Sequence, residues 1–130
     1  MVKAGILGAT GYTARELIHI LLRHKHTEIV ALTTRQVGNV HVSEVHPQFV
    51  GRLDLALENL EADEIIARCD CVFSCLPHAA SADRVKPLVD AGLRVIDLSA
   101  DYRLQEVETY THWYQVEHPD PGRVGTVAYG

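Results

Sequence analysis

Gly8, Gly11 and Ala14 stand at G-x-x-G-x-x-A spacing, after an apolar run and before a stretch of helical periodicity. Gly8 permits a tight turn, and Gly11 lets backbone N–H groups approach an anion. Ala14 is small enough for a helix to pack closely on a strand. A helix starting here adds unpaired N–H groups and the positive end of its dipole. Thr10 and Thr13 add hydroxyl donors. The chemistry is anion binding, above all of a phosphate, and a plain strand-to-helix turn is the bland alternative. A triphosphatase loop is excluded because no Gly-Lys-Ser/Thr follows.

The next apolar run ends Leu32-Thr33-Thr34-Arg35, without a carboxylate. Dinucleotide-binding domains that take NAD place an acidic residue near this point to hold the ribose 2′-hydroxyl. A threonine and a guanidinium suit a 2′-phosphate instead, so Thr34 and Arg35 favour NADP over NAD. The bland alternative is that Arg35 is an ordinary surface arginine.

Other groups are weaker candidates. Cys75 precedes Pro77 and His78, and a Cys–His pair can activate a thiol. Cys75 also ends an apolar run, where cysteine serves as a small hydrophobe. Cys69 and Cys71 read as structural. The eight histidines show no paired Cys/His spacing and no His-Glu-x-x-His, so no metal site is expected. His46 reads first as a loop-shaping residue. Trp113 and Tyr114 read as a cover for the sheet edge before a binding platform. Asp101 and Arg103 read as substrate contacts or as a local ion pair. Glu58, Glu61, Asp63 and Glu64 read as a solvated helix start.

These residues need elements to hold them. Val2 to Leu7, Glu28 to Thr33, Cys71 to Leu76 and Arg94 to Leu98 are apolar runs without alternation, the pattern of buried parallel strands. Tyr12 to Arg23 carries one apolar stripe of Leu17, Ile18, Leu21 and Leu22. Ser81 to Ala91 is a second helix, with Ser81 as N-cap, Gly92 as stop and Pro87 as an internal kink or restraint. Arg35 to Gly51 is expected as a long loop, Leu53 to Leu57 as a short strand, and Glu61 to Arg68 as a short helix. Helical turns are expected over Glu106 to Tyr114, a turn over Pro119 to Gly122, and a last edge strand over Val124 to Tyr129. Together they predict an α/β class: a three-layer αβα, Rossmann-type doubly wound, mostly parallel sheet. Such sheets bind ligands at the carboxyl ends of their strands, where the glycine loop falls.

Composition sets the frame. Residues 1–130 are expected to form a single domain, and 47% hydrophobic residues supply its core. A formal net charge of −5 with scattered Lys and Arg argues against nucleic acid. No apolar run reaches the ~18 residues of a membrane span, and the N-terminus lacks the pattern of a signal peptide. Three closely spaced cysteines, read as free thiols, point to a reducing, cytoplasmic setting.

Several segments then carry a resemblance: "GILGATGYTARELI", "LTTRQVGNVHVSEVHPQFVG", "CVFSCLPHAASA", "GLRVIDLSADYRL" and "YTHWYQVEHPDP". The chain resembles the N-terminal part of N-acetyl-γ-glutamyl-phosphate reductases. The aminoadipate-type reductases of lysine biosynthesis look similar over the same region. The resemblance implies an NADPH-dependent oxidoreductase of arginine biosynthesis, reducing an acyl phosphate to a semialdehyde through a cysteine thioester. Carried over residue by residue, Gly8, Thr10, Gly11, Tyr12 and Thr13 match the phosphate loop. Thr34 and Arg35 match the 2′-phosphate end. Leu76, Pro77 and His78 match a strand-end loop near the cofactor, and Ser99, Ala100 and Asp101 match a loop close to the nicotinamide. Ala14 stands where the family often has Gly.

The family's nucleophile lies in an Asn-Pro-Gly-Cys segment that these residues do not contain. No catalytic residue is therefore expected in this chain, which should bind cofactor but not turn over. A free-standing dinucleotide-binding or interaction module is the competing expectation. Self-association into a homo-oligomer is expected wherever one side of the domain is left uncovered.

Overall fold

Val2–Leu7 forms β1, and its side chains sort by alternation to the two faces of a sheet. Ala4 and Ile6 enter one core, with Ala14, Ile18 and Leu21 of the helix α1 (Tyr12–Leu21) and with Leu32, Val42, Phe49 and Leu57. Leu7 enters the other core, with Ile65, Val72, Ala82, Val85 and Leu88. Burying a side chain of this size is worth about 1.5–3 kcal/mol. These two apolar layers are the main force that holds helices on both faces. The computed structural model describes residues 1–36, 39–115 and 117–128.

The remaining elements are β2 (Thr27–Thr33), β3 (Val40–His41), α2 (Val42–Val45), β4 (Ala56–Glu58), α3 (Ala62–Arg68), β5 (Cys71–Ser74), α4 (Ala80–Asp90), β6 (Arg94–Asp97) and α5 (Val107–Tyr114). Short 3-10 turns cover Pro47–Phe49 and Pro121–Arg123. The sheet order is β3-β4-β2-β1-β5-β6. Every pairing is parallel except β3 with β4. The doubly wound, three-layer αβα architecture read from the sequence is the one observed. The chain winds outward from β1 through β2 to β4, then crosses back to β5 on the other side of β1. That reversal opens a crevice at the carboxyl ends of β1 and β5, where the glycine loop lies.

Several boundaries differ from expectation. Residues 39–51 are not an extended loop but carry β3, α2 and a 3-10 turn. Their order comes from contacts distant in sequence: Val42 and Phe49 are fully buried against β1 and α1. Ser81 is not the N-cap of α4 but lies inside the helix, buried, with its hydroxyl bonded to Ser74 and Asp97. Pro87 is accommodated within α4, which runs on to Asp90. No strand forms over residues 124–128; they follow the Pro121–Arg123 turn, where Val124 N–H donates to Pro121 and Thr126 N–H to Arg123. Tyr129 lies outside the described residues.

Candidate functional site

The glycine loop is bolted to β2. Gly8 and Ala9 N–H both donate to the carbonyl of Thr33, at 3.1 and 3.0 Å. Gly8 has φ +71°, in the left-handed region, and a Cβ there would meet Leu76 Cδ2 at 2.9 Å and the Cys75 carbonyl at 3.1 Å. Glycine is therefore demanded at this position by the fold itself. Gly11 is different. Its φ of −85° suits any residue, and a Cβ on it would meet nothing within 4 Å. The protein's own packing gives no reason for glycine at this position, while close approach of an external group does.

Gly11 is the N-cap of α1, with no side-chain cap and no acidic residue in the first turn. The N–H groups of the first turn thus keep their positive field for something else. A cavity of about 370 Å³ lies over this turn, walled by Thr10, Gly11, Tyr12 and Arg15 on one side and His46 and Gln48 on the other. Buried His46 donates from Nε2 to the carbonyl of Ala9 at 2.8 Å, holding the far wall against the loop. That is the loop-shaping part expected of it.

The other predicted residues gather at neighbouring strand ends. Thr34 is buried and its Oγ1 accepts from Gln36 N–H at 3.2 Å. Gln36, a residue the sequence did not flag, also meets the Thr10 hydroxyl at 3.5 Å. Arg35 is exposed, with its guanidinium 3.9 Å from Glu61. Leu76 touches the glycine turn, whereas the His78 ring lies against Tyr114, with centroids 5.2 Å apart. Ser99 N–H donates to Asp97, and its hydroxyl accepts from Asp101 N–H. Thr10, Gly11 and Tyr12 thus line the cavity over the start of α1 and Thr13 follows them in the helix, Leu76 lies by the Gly8 turn, Thr34 and Arg35 follow β2, and Pro77, His78, Ser99 and Ala100 follow the next two strand ends.

Asp101 belongs to the frame. Its carboxylate is buried and accepts from Ala79 N–H (2.6 Å), Ala82 N–H (2.7 Å) and the Tyr110 hydroxyl (2.7 Å). It caps α4 from across the fold, because Ala79 at the N-cap has no capping side chain. The expected local pair with Arg103 is replaced by these bonds, and Arg103 donates to the Tyr114 hydroxyl. The sequence offered no signal for this, since Ser81 there supplied an apparent cap. Buried His118 continues the frame, bonding the Asp101 carbonyl through Nε2 and accepting from Asp120 N–H through Nδ1. Asp120 in turn accepts from Tyr102 and Arg123. Burial alone would raise the Asp120 carboxyl, but hydrogen bonds from Arg123 and Tyr102 hold it below the usual range. Trp113, expected to cover the sheet edge, is instead 70% exposed.

The thiols are not poised for attack. Burial pushes Cys69 and Cys71 up, and burial with the nearby Asp97 charge pushes Cys75 up to about 11. No hydrogen bond joins Cys75 to His78. Among the described residues no group of three His, Cys, Asp or Glu could hold a metal ion, and no helix is long and apolar enough to cross a membrane.

A parallel sheet with its strand reversal beside a glycine turn defines the class: an α/β dinucleotide-binding domain. The family described as semialdehyde dehydrogenase, NAD binding domain, matches residues 3–130, and the chain belongs to it. It is 49% identical over 129 residues to an N-acetyl-gamma-glutamyl-phosphate reductase of Rhodopirellula baltica, covering 99% of this chain and 37% of that protein. It is 40% identical over 129 residues to the LysW-L-2-aminoadipate/LysW-L-glutamate phosphate reductase of Saccharolobus solfataricus, with the same coverage. The chain thus spans little more than a third of these relatives. Among solved structures, aspartate semialdehyde dehydrogenase with NADP from Candida albicans superposes with a TM-score of 0.68 at 29% identity, covering 82% of this chain and 32% of that one. Scyllo-inositol dehydrogenase of Lactobacillus casei, at 18% identity and a TM-score of 0.57 over 88% of this chain and 32% of that one, shares the fold.

Proposed function

We propose that this chain is the NADP(H)-binding part of an acyl-phosphate reductase that converts N-acetyl-glutamyl 5-phosphate to its semialdehyde. The observation that carries it is Gly11: a glycine the fold does not require, at an uncapped helix start, facing an open cavity. The 49% relative favours the glutamyl substrate, and the 40% relative keeps the aminoadipyl substrate as a second reading. Gly8, Thr10, Gly11, Tyr12 and Thr13 would hold the pyrophosphate. Thr34 and Arg35 would take the 2′-phosphate, and Leu76, Pro77, His78, Ser99 and Ala100 would border the rest of the cofactor. When bound, the cofactor supplies a hydride; these residues bind, orient and shield it. Free thiols fit a cytoplasmic setting, and a homo-oligomer would use the β6 edge, where Ile96 and Leu98 are exposed.

Calorimetric titration tests the reading. NADPH is expected to bind at least tenfold more tightly than NADH, because a contact to a charged phosphate is worth about 1.5–3 kcal/mol. Arg35→Ala should erase the preference. Equal affinities in the parent chain would remove the 2′-phosphate assignment.

These residues alone should not turn over the acyl phosphate. With Cys75 near 11, only about one thiol in ten thousand is ionised at pH 7. Alkylation of Cys75 is expected to accelerate with each pH unit up to about 11. A plateau near pH 8 would mean an activated thiol and would restore Cys75 as a nucleophile.

A further inference from the structure

Beside Arg35 stands a second arginine with no part in the site described so far. Arg84 projects from α4 with its side chain 18% exposed, and its Nη2 donates to the Leu60 carbonyl at 2.9 Å. Its other amino group lies 3.9 Å from Glu61 Oε2, while Arg35 lies 3.9 Å from Glu61 Oε1. One carboxylate is thus flanked by two guanidinium groups, one from the end of β2 and one from α4, each facing a different oxygen. Burial and then the Arg35 charge hold the Arg84 guanidinium below its ordinary range, as expected of two cations sharing a small space.

Glu61 is a weak partner for this pair. Its side chain is 68% exposed and both contacts are 3.9 Å long, so solvent screens each of them heavily. A ribose phosphate carries about −1.5 to −2 charges at neutral pH and three strong acceptor oxygens. It would outcompete one carboxylate for two guanidinium groups, which match phosphate geometry with paired N–H donors. The bond to Leu60 already fixes the Arg84 stem, so little side-chain freedom remains to be lost on binding.

We propose that Glu61 is a displaceable stand-in for the ribose phosphate, and that Arg84 acts with Arg35 as a second cation selecting a phosphorylated dinucleotide. This rests on the assignment of Arg35 to the 2′-phosphate. Glu61 then lowers affinity for the phosphorylated cofactor by competing for its cations, and Arg84 raises it.

The test titrates the full chain with NADPH, NADH and adenosine 2′,5′-bisphosphate, in the parent and in Arg84→Gln, Glu61→Gln and Arg35→Gln. Arg84→Gln should weaken NADPH and the bisphosphate about tenfold and leave NADH within about twofold. Glu61→Gln should tighten NADPH and the bisphosphate about threefold and leave NADH unchanged. A packing role for Arg84 would shift both cofactors together. If Arg84→Gln and Glu61→Gln leave NADPH and the bisphosphate within twofold while Arg35→Gln abolishes the preference, the proposal fails and the Arg35 assignment stands. If the parent shows no preference and Arg35→Gln changes nothing, the assignment itself fails. Should Arg84→Gln not fold, judged by its circular dichroism melt, exposed Glu61→Gln decides alone.

Discussion

The β1–α1–β2 segment and the segment from β6 to residue 128 are built on different physics. In the first, apolar side chains and backbone bonds dominate: Ile6, Ile18 and Leu32 are fully buried, and the glycine turn hangs from the Thr33 carbonyl. In the second, polar side chains in the interior hold the chain. Asp101, Asp120 and His118 are each at most 4% exposed, with His118 bonded to both aspartates and buried tyrosines on their carboxylates. Apolar packing tolerates small errors of fit, whereas a buried polar group left unpaired is costly. The second segment is therefore the more brittle of the two.

Asp101→Ala should break the comparison most violently. It leaves two helix N–H groups and a buried tyrosine hydroxyl without their acceptor, at a cost on the order of 4 kcal/mol. Urea unfolding measures it, and amide exchange should rise first at Ala79 and Ala82. A cost below about 1 kcal/mol would show that the network is ornamental. In the first segment the two glycines should separate structure from binding. Gly8→Ala meets a left-handed φ and a 2.9 Å contact and should cost about 3 kcal/mol. Gly11→Ala should stay within about 1 kcal/mol in stability, yet weaken NADPH more than tenfold by calorimetry. Matching costs in stability and affinity at both positions would erase the distinction. The smallest effect is a gain. Ala79 holds φ 65°, ψ −47°, so Ala79→Gly should stabilise by about 1 kcal/mol and raise the melting temperature by about 4 °C. A lower melting temperature would show that Ala79 is not strained.

The same division explains what the sequence could reveal. β1, α1, β2 and β5 were legible because their signal is local: apolar runs, one helical stripe, a glycine spacing; β6, read from its apolar run as buried, is instead an edge strand with Ile96 exposed. The turn at Gly8 was legible for that local reason too. Residues 39–51 were not, since Val42 and Phe49 take their order from β1 and α1, far along the chain. Nor was the part played by Asp101, whose backbone partners lie 22 and 19 positions earlier. Ser81 misled for a related reason: it is the right residue type for a cap, but its hydroxyl is spent on Ser74 and Asp97.

The cap on α4 reaches further than stability. Two helices begin at the carboxyl ends of the central strands, α1 after β1 and α4 after β5, and both aim a positive end toward the same crevice. The carboxylate of Asp101 satisfies the start of α4, with Asp83 in its first turn, while α1 has neither. One terminal is therefore live and the other already discharged. Two helix starts that look alike in the topology are thereby made electrically unequal.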